Sequence, residues 1–422
     1  MRTPFALPAI GPIFAVLRRH RLMPLLVIVQ IALACAILTN ALSLLQRQLA
    51  PMLVDDGIAR GQVLLVDQLI QGQGRWNTPA VRTAQHALRD LPGVRAVAPA
   101  MGLPMRQSIS FVLPVKSPAG VTADVTGYSA DGLVQALGLD IVQGRDFTDE
   151  EYASTGAIFD KGNRNNVVPV ILTEALARHL FPGGGALGGR LGGDEGPDDD
   201  SYYVVVGIVR HLLRYQLSEL DDGQAEYSLL YPARSFEGLP ILSYAVRTDP
   251  ARRDEVAKAI PALLKQQFGS QLMRNVDPVV IDYESQRRES FAPRRAAVWL
   301  LGTVCVVVTL ITIIGIASLS GYWIEQRTRQ IGIRRALGAT RRQILSHFRW
   351  ENLLLTCAGL LLGLPMALAV NQLLMHYYEL PRLPLQWLPI GALALLLTGQ
   401  LAVFAPARRA AAVPPAVATR SA

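Results

Sequence analysis

Four runs of uncharged, mostly apolar residues constrain this chain more than any other feature. They extend from Leu22 to Leu45, from Ala296 to Tyr322, from Asn352 to Val370 and from Trp387 to Ala405. Each is long enough to cross a hydrocarbon core as a helix, which takes roughly 20 residues. Four buried helices of a soluble protein are the competing reading, but buried helices of that length with no charge at all are unusual. Charged residues make up only 18% of the 422, against about 25% in ordinary soluble chains. The first run is too long for the apolar region of a signal peptide, and no small-residue cleavage site follows it. The text beyond it, Leu44-Leu45-Gln46-Arg47-Gln48-Leu49, continues a helix. It reads as a retained anchor.

The formal charge of +8 is distributed by segment. Residues 1–21 carry four arginines and no acid. The stretch Gly321 to Glu351 carries seven arginines against Glu325 and Glu351, and the tail beyond Ala407 carries Arg408, Arg409 and Arg420. These three segments hold +12, which leaves −4 for residues 46–297, because Glu379 and Arg382 cancel. The positive-inside rule then puts both termini and the arginine-rich loop on the cytoplasmic side of a multi-pass membrane protein. The charge is no signal for nucleic acid. The expected division is a cytoplasmic segment 1–21, transmembrane helix 22–45, an outer domain with stalk 46–295, transmembrane helix 296–322 and a cytoplasmic loop 323–351. Transmembrane helix 352–370, a short outer loop 371–386, transmembrane helix 387–407 and a cytoplasmic tail 408–422 complete it.

The outer domain contains no cysteine; Cys35, Cys305 and Cys357 all lie in the apolar runs. Strand-like segments at 62–66, 94–98, 108–113, 121–127, 167–172, 202–209 and 241–246 alternate with helical ones at 78–90, 131–137, 174–180 and 253–268. The last contains Pro261, which implies a kink or break. The pattern predicts α+β with β-α-β units, interrupted from Phe147 to Gly238 by an inserted subdomain. Gly183 to Gly193 contains seven glycines, followed by the acids Asp194, Glu195 and Asp198 to Asp200. A phosphate-binding loop needs Lys and then Ser or Thr after such glycines, and no Lys is present. The acid spacing matches no calcium loop, so the stretch reads as a solvated loop. Ile281 to Arg295 is polar and helix-compatible, kinked at Pro293, and leads into the second apolar run. Paired with Leu44 to Leu53 it would make a two-helix stalk.

No catalytic constellation emerges. His86, His179 and His211 are scattered, HExxH and GxSxG are absent, and no carboxylates pair within an apolar run. No bound cofactor or metal is implied, and the chain reads as a non-enzyme. Gln30, Asn40, Thr309, Thr312 and Gln400 are mild intramembrane polar groups, where a proton- or sodium-driven carrier more often places ionisable ones. Gln30 reads as interhelical glue. Gly359 and Gly363, three residues apart, predict close helix packing; Pro365 should kink the helix after them.

The most informative segment is EQRTRQIGIRRALGATRRQILSHFRWE, Glu325 to Glu351. Ile331, Ile333, Leu337, Ile344 and Phe348 are candidates for apolar faces, with Arg334, Arg335, Arg341 and Arg342 over the polar ones. Gly338 is placed to end a first short helix. Such an amphipathic piece can lie on anionic lipid or dock in a groove of a soluble partner. The stretch from Gln330 through Gly332, Ala336, Ala339 and Leu345 resembles the signature of MacB/FtsX-type permeases, a family that includes the lipoprotein-releasing LolC and LolE proteins. GLDIVQGRDFTDEE (Gly138 to Glu151) resembles the GRxFT element of that family's periplasmic core domain. ALARHLFP and YYVVVGIVR, within Val167 to Val209, resemble the section after it. The layout of one helix, a large outer domain and three further helices matches too.

The resemblance implies that Gln330, Ile331, Gly332, Ile333, Arg334, Arg335, Ala336, Leu337, Gly338, Ala339, Arg341, Arg342, Ile344 and Leu345 contact a cytoplasmic ABC ATPase. The family often has Glu at the position of Gln330. MacB itself carries a fused ATPase; with 21 residues before the first helix and no Walker motif, the ATPase is expected on a separate chain, which alone would use ATP. Two permease copies, or paralogues, would flank two ATPases and carry their closure mechanically to the outer domains. A periplasmic adaptor and an outer-membrane channel are further partners of an efflux system. The resemblance favours efflux of an antibiotic, peptide or other periplasmic molecule. Lipoprotein release and FtsX-like control of a cell-wall hydrolase or sensor are the alternatives.

Overall fold

The structure, a computed structural model, describes residues 22–100, 102–106, 111–154, 167–192, 202–215, 224–235, 241–378 and 382–412. Residues 1–21, the expected strand at 108–110, the acids from Asp194 to Asp200, Glu379 and the tail beyond 412 lie outside them. The chain divides into two compact units, Ala50–Pro293 and the two flanking pieces Met1–Leu49 and Arg294–Ala422.

The chain begins with α1 (Leu22–Leu53), then β1 (Val63–Ile70), α2 (Thr78–Arg89) and β2 (Val94–Ala100). Next come β3 (Phe111–Lys116), β4 (Thr122–Ser129), α3 (Leu133–Leu137), β5 (Ile141–Gly144) and β6 (Ala153–Ser154). β7 (Val167–Thr173), α4 (Glu174–Leu180), β8 (Arg190–Gly192) and β9 (Tyr202–Val209) follow. After them are β10 (Ser228–Tyr231), β11 (Ala233–Ser235), β12 (Ile241–Thr248), α5 (Arg253–Phe268), β13 (Val279–Asp282) and α6 (Tyr283–Ser290). The helices α7 (Ala292–Gln326), α8 (Thr328–Ala336), α9 (Arg341–Tyr378) and α10 (Trp387–Ala412) complete the described chain. Four of these helices, α1, α7, α9 and α10, are long and apolar enough to cross a membrane.

Within Ala50–Pro293, one sheet has the order β13-β1-β12-β2 with every neighbouring pair antiparallel. The expected β-α-β units are present in split form: β12 lies between β1 and β2, which α2 connects. Asn77 caps α2 by accepting from the Ala80 amide at 2.9 Å, and its buried stripe is Val81, Ala84 and Leu88. α5 buries Val256, Ile260, Leu264 and Phe268 and runs through Pro261 without interruption. Contrary to the expected break, the i, i+4 apolar stripe on both sides of Pro261 holds the two halves on the same core.

A second sheet has the order β5-β9-β7-β10-β4-β3-β8, and β8 also pairs with β9, so six strands close into a barrel. The interruption therefore begins at β3, not at Phe147. β3 and β4 form an ordinary hairpin locally, and which sheet they join is settled by a distant pairing, Gly127 with Leu229. The glycine-rich stretch is not all loop: Arg190–Gly192 is the strand that closes the barrel. Gly144 has φ +76°, and a Cβ there would lie 2.3 Å from the Val206 carbonyl oxygen, so only glycine lets β5 approach β9 this closely.

The GRDFT element forms a turn. Arg145 holds Glu151 with both arms, at 2.7 and 2.6 Å, and the Thr148 amide donates to the same carboxylate at 2.8 Å. The Arg145 hydrogen bonds lower the Glu151 pKa below the ordinary glutamate value. A depressed folded-state pKa gives stability that is complete above the unfolded value of about 4.3 and is lost as pH falls through the folded value. Carboxyl NMR titration should therefore find the Glu151 midpoint below that of ordinary glutamates. Arg145→Gln should bring it back up, and an unmoved midpoint would rule out the pairing.

The expected polar helix from Ile281 to Arg295 is divided. Ile281 and Asp282 belong to β13, and Asp282 caps α6 through the Ser285 amide at 2.9 Å. α6 stops at Ser290 because Pro293 has no N–H to continue the ladder; Pro293 is instead tolerated in the first turn of α7. The stalk segments do meet: Arg287 donates to the Met52 and Val54 carbonyls at 3.2 and 3.3 Å, capping the end of α1.

Candidate functional site

The helical unit is built around α1. Half of its most apolar stretch is buried against the other helices, against 11% for α7. Polar side chains bridge the helices. Gln30 on α1 donates to Ile311 O on α7 at 3.1 Å, and Asn40 donates to Ala367 O on α9 at 3.0 Å. Asn352 on α9 donates to Gly399 O on α10 at 2.9 Å. Gly359 and Gly363 face α1: Cβ atoms there would lie 2.7 Å from the Ile31 Cβ and 2.6 Å from the Cys35 Cβ. α9 runs through Pro365 unbroken.

The loop between α7 and α9 is almost entirely helical. α8 ends where Gly338 turns to φ +97°, and the Ala339 amide reaches back to Arg334 O at 3.0 Å. This is the six-to-one bond of a glycine C-cap. α9 begins with a reciprocal box: the Thr340 amide donates to Gln343 Oε1 at 2.9 Å, and the Gln343 amide donates to Thr340 Oγ1 at 3.3 Å. Thr-x-x-Gln is the sequence signal for this cap.

The candidate contact residues fall into two sets. Ile331, Ile344 and Phe348 are buried in one cluster with Ile324 and Ala407, and Leu345 packs against it. Gly332 is also buried. Ile333 and Leu337, 47% and 83% exposed, lie outside that cluster with Gln330, Arg334, Ala336, Gly338, Arg341 and Arg342 exposed beside them. Ala339 is half-buried. The Arg335 side chain lies outside the described set. Ile331 and Ile333 cannot share a face because two residues turn a helix by about 200°; Ile333 and Leu337, four apart, can. One face of α8 anchors it to its own chain, and the other is a small apolar surface rimmed by arginines.

A charge cluster missed in the sequence ties this loop to the bundle. Glu351, 5% exposed, accepts from Trp323 Nε1 at 3.0 Å and from Arg327 Nη1 at 3.2 Å. The Arg327 guanidinium also stacks over the Trp323 ring, 4.0 Å from its centroid. Arg327 is the single residue between α7 and α8. The sequence signal was present, one of only two acids among seven arginines, at the edge of an apolar run, but counting net charge concealed the pairing. Among the described residues, no three His, Cys, Asp or Glu side chains are grouped to hold a metal ion.

Four long apolar helices with an α+β domain inserted between the first two define a multi-pass membrane protein. The MacB-like periplasmic core domain description matches residues 26–263, more than half of the chain, and the FtsX-like permease C-terminal description matches residues 302–415. The chain belongs to the MacB/FtsX family of ABC transporter permeases. It is 26% identical over 247 residues to the uncharacterized ABC transporter permease YvrN of Bacillus subtilis, 57% of this chain and 56% of that protein. It is 33% identical over 168 residues to the macrolide export ATP-binding/permease protein MacB of Nitrosomonas europaea, 40% of this chain and 25% of that protein. The chain thus spans little more than half of the one relative and a quarter of the other. The crystal structure of the periplasmic region of MacB from Actinobacillus actinomycetemcomitans aligns with 55% of this chain and 94% of its own, at 16% identity and a TM-score of 0.35.

Proposed function

We propose that this chain is the permease subunit of an ABC-type complex that turns ATP hydrolysis by a separate cytoplasmic ATPase into movement of the outer domain. The observation that carries the reading is the division of α8 into an anchored face and an exposed one. Ile333, Ala336 and Leu337 are exposed on a helix already fixed to the bundle. The arginine distribution supports a cytoplasmic loop and cytoplasmic termini, with the inserted domain on the outer side. The likeness to a macrolide exporter supports efflux of an antibiotic, peptide or other outer-compartment molecule. The working unit is two permeases, identical or paralogous, with two ATPases, and in a two-membrane cell an adaptor and outer channel.

Ala336→Glu and Leu337→Glu test the docking. Both positions are exposed, so membrane insertion and abundance should be unchanged. A carboxylate buried unpaired in an interface costs several kcal/mol, and about 1.4 kcal/mol already weakens binding tenfold. Neutralising Arg341 and Arg342 together should cost less, since exposed ion pairs are worth about 0–1 kcal/mol each. On a purely lipid-resting loop the order of Ala336→Glu and the arginine pair would reverse, because each arginine near anionic lipid is worth about 1 kcal/mol and a small alanine adds little membrane affinity. The readouts are ATPase co-purification and stimulated ATP turnover. Full ATPase binding by both glutamate variants at normal abundance would end the docking reading.

A further inference from the structure

The Glu351 cluster fixes the point at which the loop leaves the membrane helices. Arg327 is the pivot between α7 and α8: its amide donates to Ile324 O at 3.1 Å, and its carbonyl accepts from the Ile331 amide at 3.0 Å. Its side chain reaches Glu351 on α9 with one arm, Nη1 lying 3.2 Å from Oε1 and 3.4 Å from Oε2. Trp323, one turn earlier on α7, supplies the third contact. α7, α9 and the residue that leads into α8 are thereby joined at one carboxylate. Glu351, Trp323 and Phe348 also border a pocket of about 40 Å³ reaching Met23 and Val403. The carboxylate is oriented by one cationic donor, Arg327, and one indole donor, Trp323.

We propose that Glu351 is the positioning residue of the coupling loop: its clasp on Arg327 and Trp323 makes a push on α8 move α7 and α9 together instead of bending the pivot. The proposal rests on the docking reading above, but it concerns transmission after docking. Neither Glu351 nor Arg327 lies on the exposed Ile333–Leu337 face, so docking and transmission are separable. A buried pair is the right device, because breaking one in a low-dielectric site has a far larger effect than breaking an exposed pair.

The test uses the full-length chain in lipid nanodiscs with the ATPase that co-purifies with the wild type. Glu351→Gln keeps shape and size but removes the charge. It should bind the ATPase with wild-type affinity while stimulated turnover falls roughly tenfold, a coupling loss within the usual range. Arg327→Glu alone should be impaired in the same way, and combining it with Glu351→Arg should restore part of the turnover. Unchanged stimulation in Glu351→Gln would overturn the proposal. So would a parallel loss of affinity and turnover, or a double variant no better than either single one. Leu337→Glu in the same assay separates the two readings. If it abolishes binding while Glu351→Gln stimulates normally, only the clasp fails; if it binds fully, docking fails and the clasp with it.

Discussion

Asp56→Ala should lower the thermal midpoint of the inserted domain by roughly 6–20 °C. Asp56 is completely buried where the chain leaves α1. Its carboxylate accepts from Arg287 Nε at 2.8 Å, from Arg60 Nε at 3.2 Å and from the Ile58 amide at 3.3 Å. Tyr283 is itself buried, and burial first, with the Asp56 charge adding to it, pushes the Tyr283 phenol well above its usual range. Truncation would leave the Arg287 guanidinium with carbonyl partners and the Phe291 ring 4.9 Å away, but no counter-charge. Removing one partner of a buried pair costs about 3–5 kcal/mol, and a domain of this size shifts by roughly 2–4 °C per kcal/mol. Asp56→Asn, which keeps an acceptor, should cost less. Glu255→Gln breaks an exposed pair with Arg252 and should leave the midpoint where it was. Near-UV circular dichroism of the full-length chain in detergent gives the measurement. An unmoved midpoint in Asp56→Ala would show that the cluster does not hold the domain's base together.

Asp56 also shows where the sequence was legible and where it was not. The long apolar runs needed only local information, and so did the helical segments that form α2 and α5 and the Gly338 stop. Each is set by residues within one or two turns. The barrel was not legible, because its closure depends on β8, a three-residue strand hidden among glycines, and on distant pairings such as Gly127 with Leu229 and Leu172 with Leu229 that no local period encodes. The Asp56 cluster was illegible for a related reason. Asp56 and Arg287 are 231 residues apart, and nothing near either marks it as buried. In the coupling loop the amphipathic character was readable, but the anchored and exposed faces were merged into one. The helix phase separates Ile331 from Ile333; only the packing of Ile331 on Phe348 and Ala407 decides which of them turns inward.

The glycine pair on α9 should also be sensitive to substitution, for a steric reason. Gly363 lies where α9 touches α1, and its hypothetical Cβ would meet the Cys35 Cβ at 2.6 Å, the Ala32 carbonyl oxygen at 3.0 Å and the Ala32 Cα at 3.1 Å. Two of those atoms are backbone, so no side-chain rotation relieves the clash. Helices in lipid gain little from hydrophobic burial against one another and depend on close van der Waals contact. Separating α1 from α9 would also stretch the Asn40 bond to Ala367 O, leaving an amide short of one partner in an apolar setting. Overpacking of this kind typically costs 1–3 kcal/mol, and Gly363→Leu should lie at about the upper end. Gly363→Ala should show a smaller loss despite its better helix propensity. Gly302 and Gly321 on α7 have open space where a Cβ would go, so alanine there should be neutral or slightly stabilising. Thermal aggregation of detergent-solubilised fusions, read by fluorescence size exclusion, ranks the four variants. If Gly363→Leu melts with Gly302→Ala, the close approach of α9 to α1 does not exist in the folded protein.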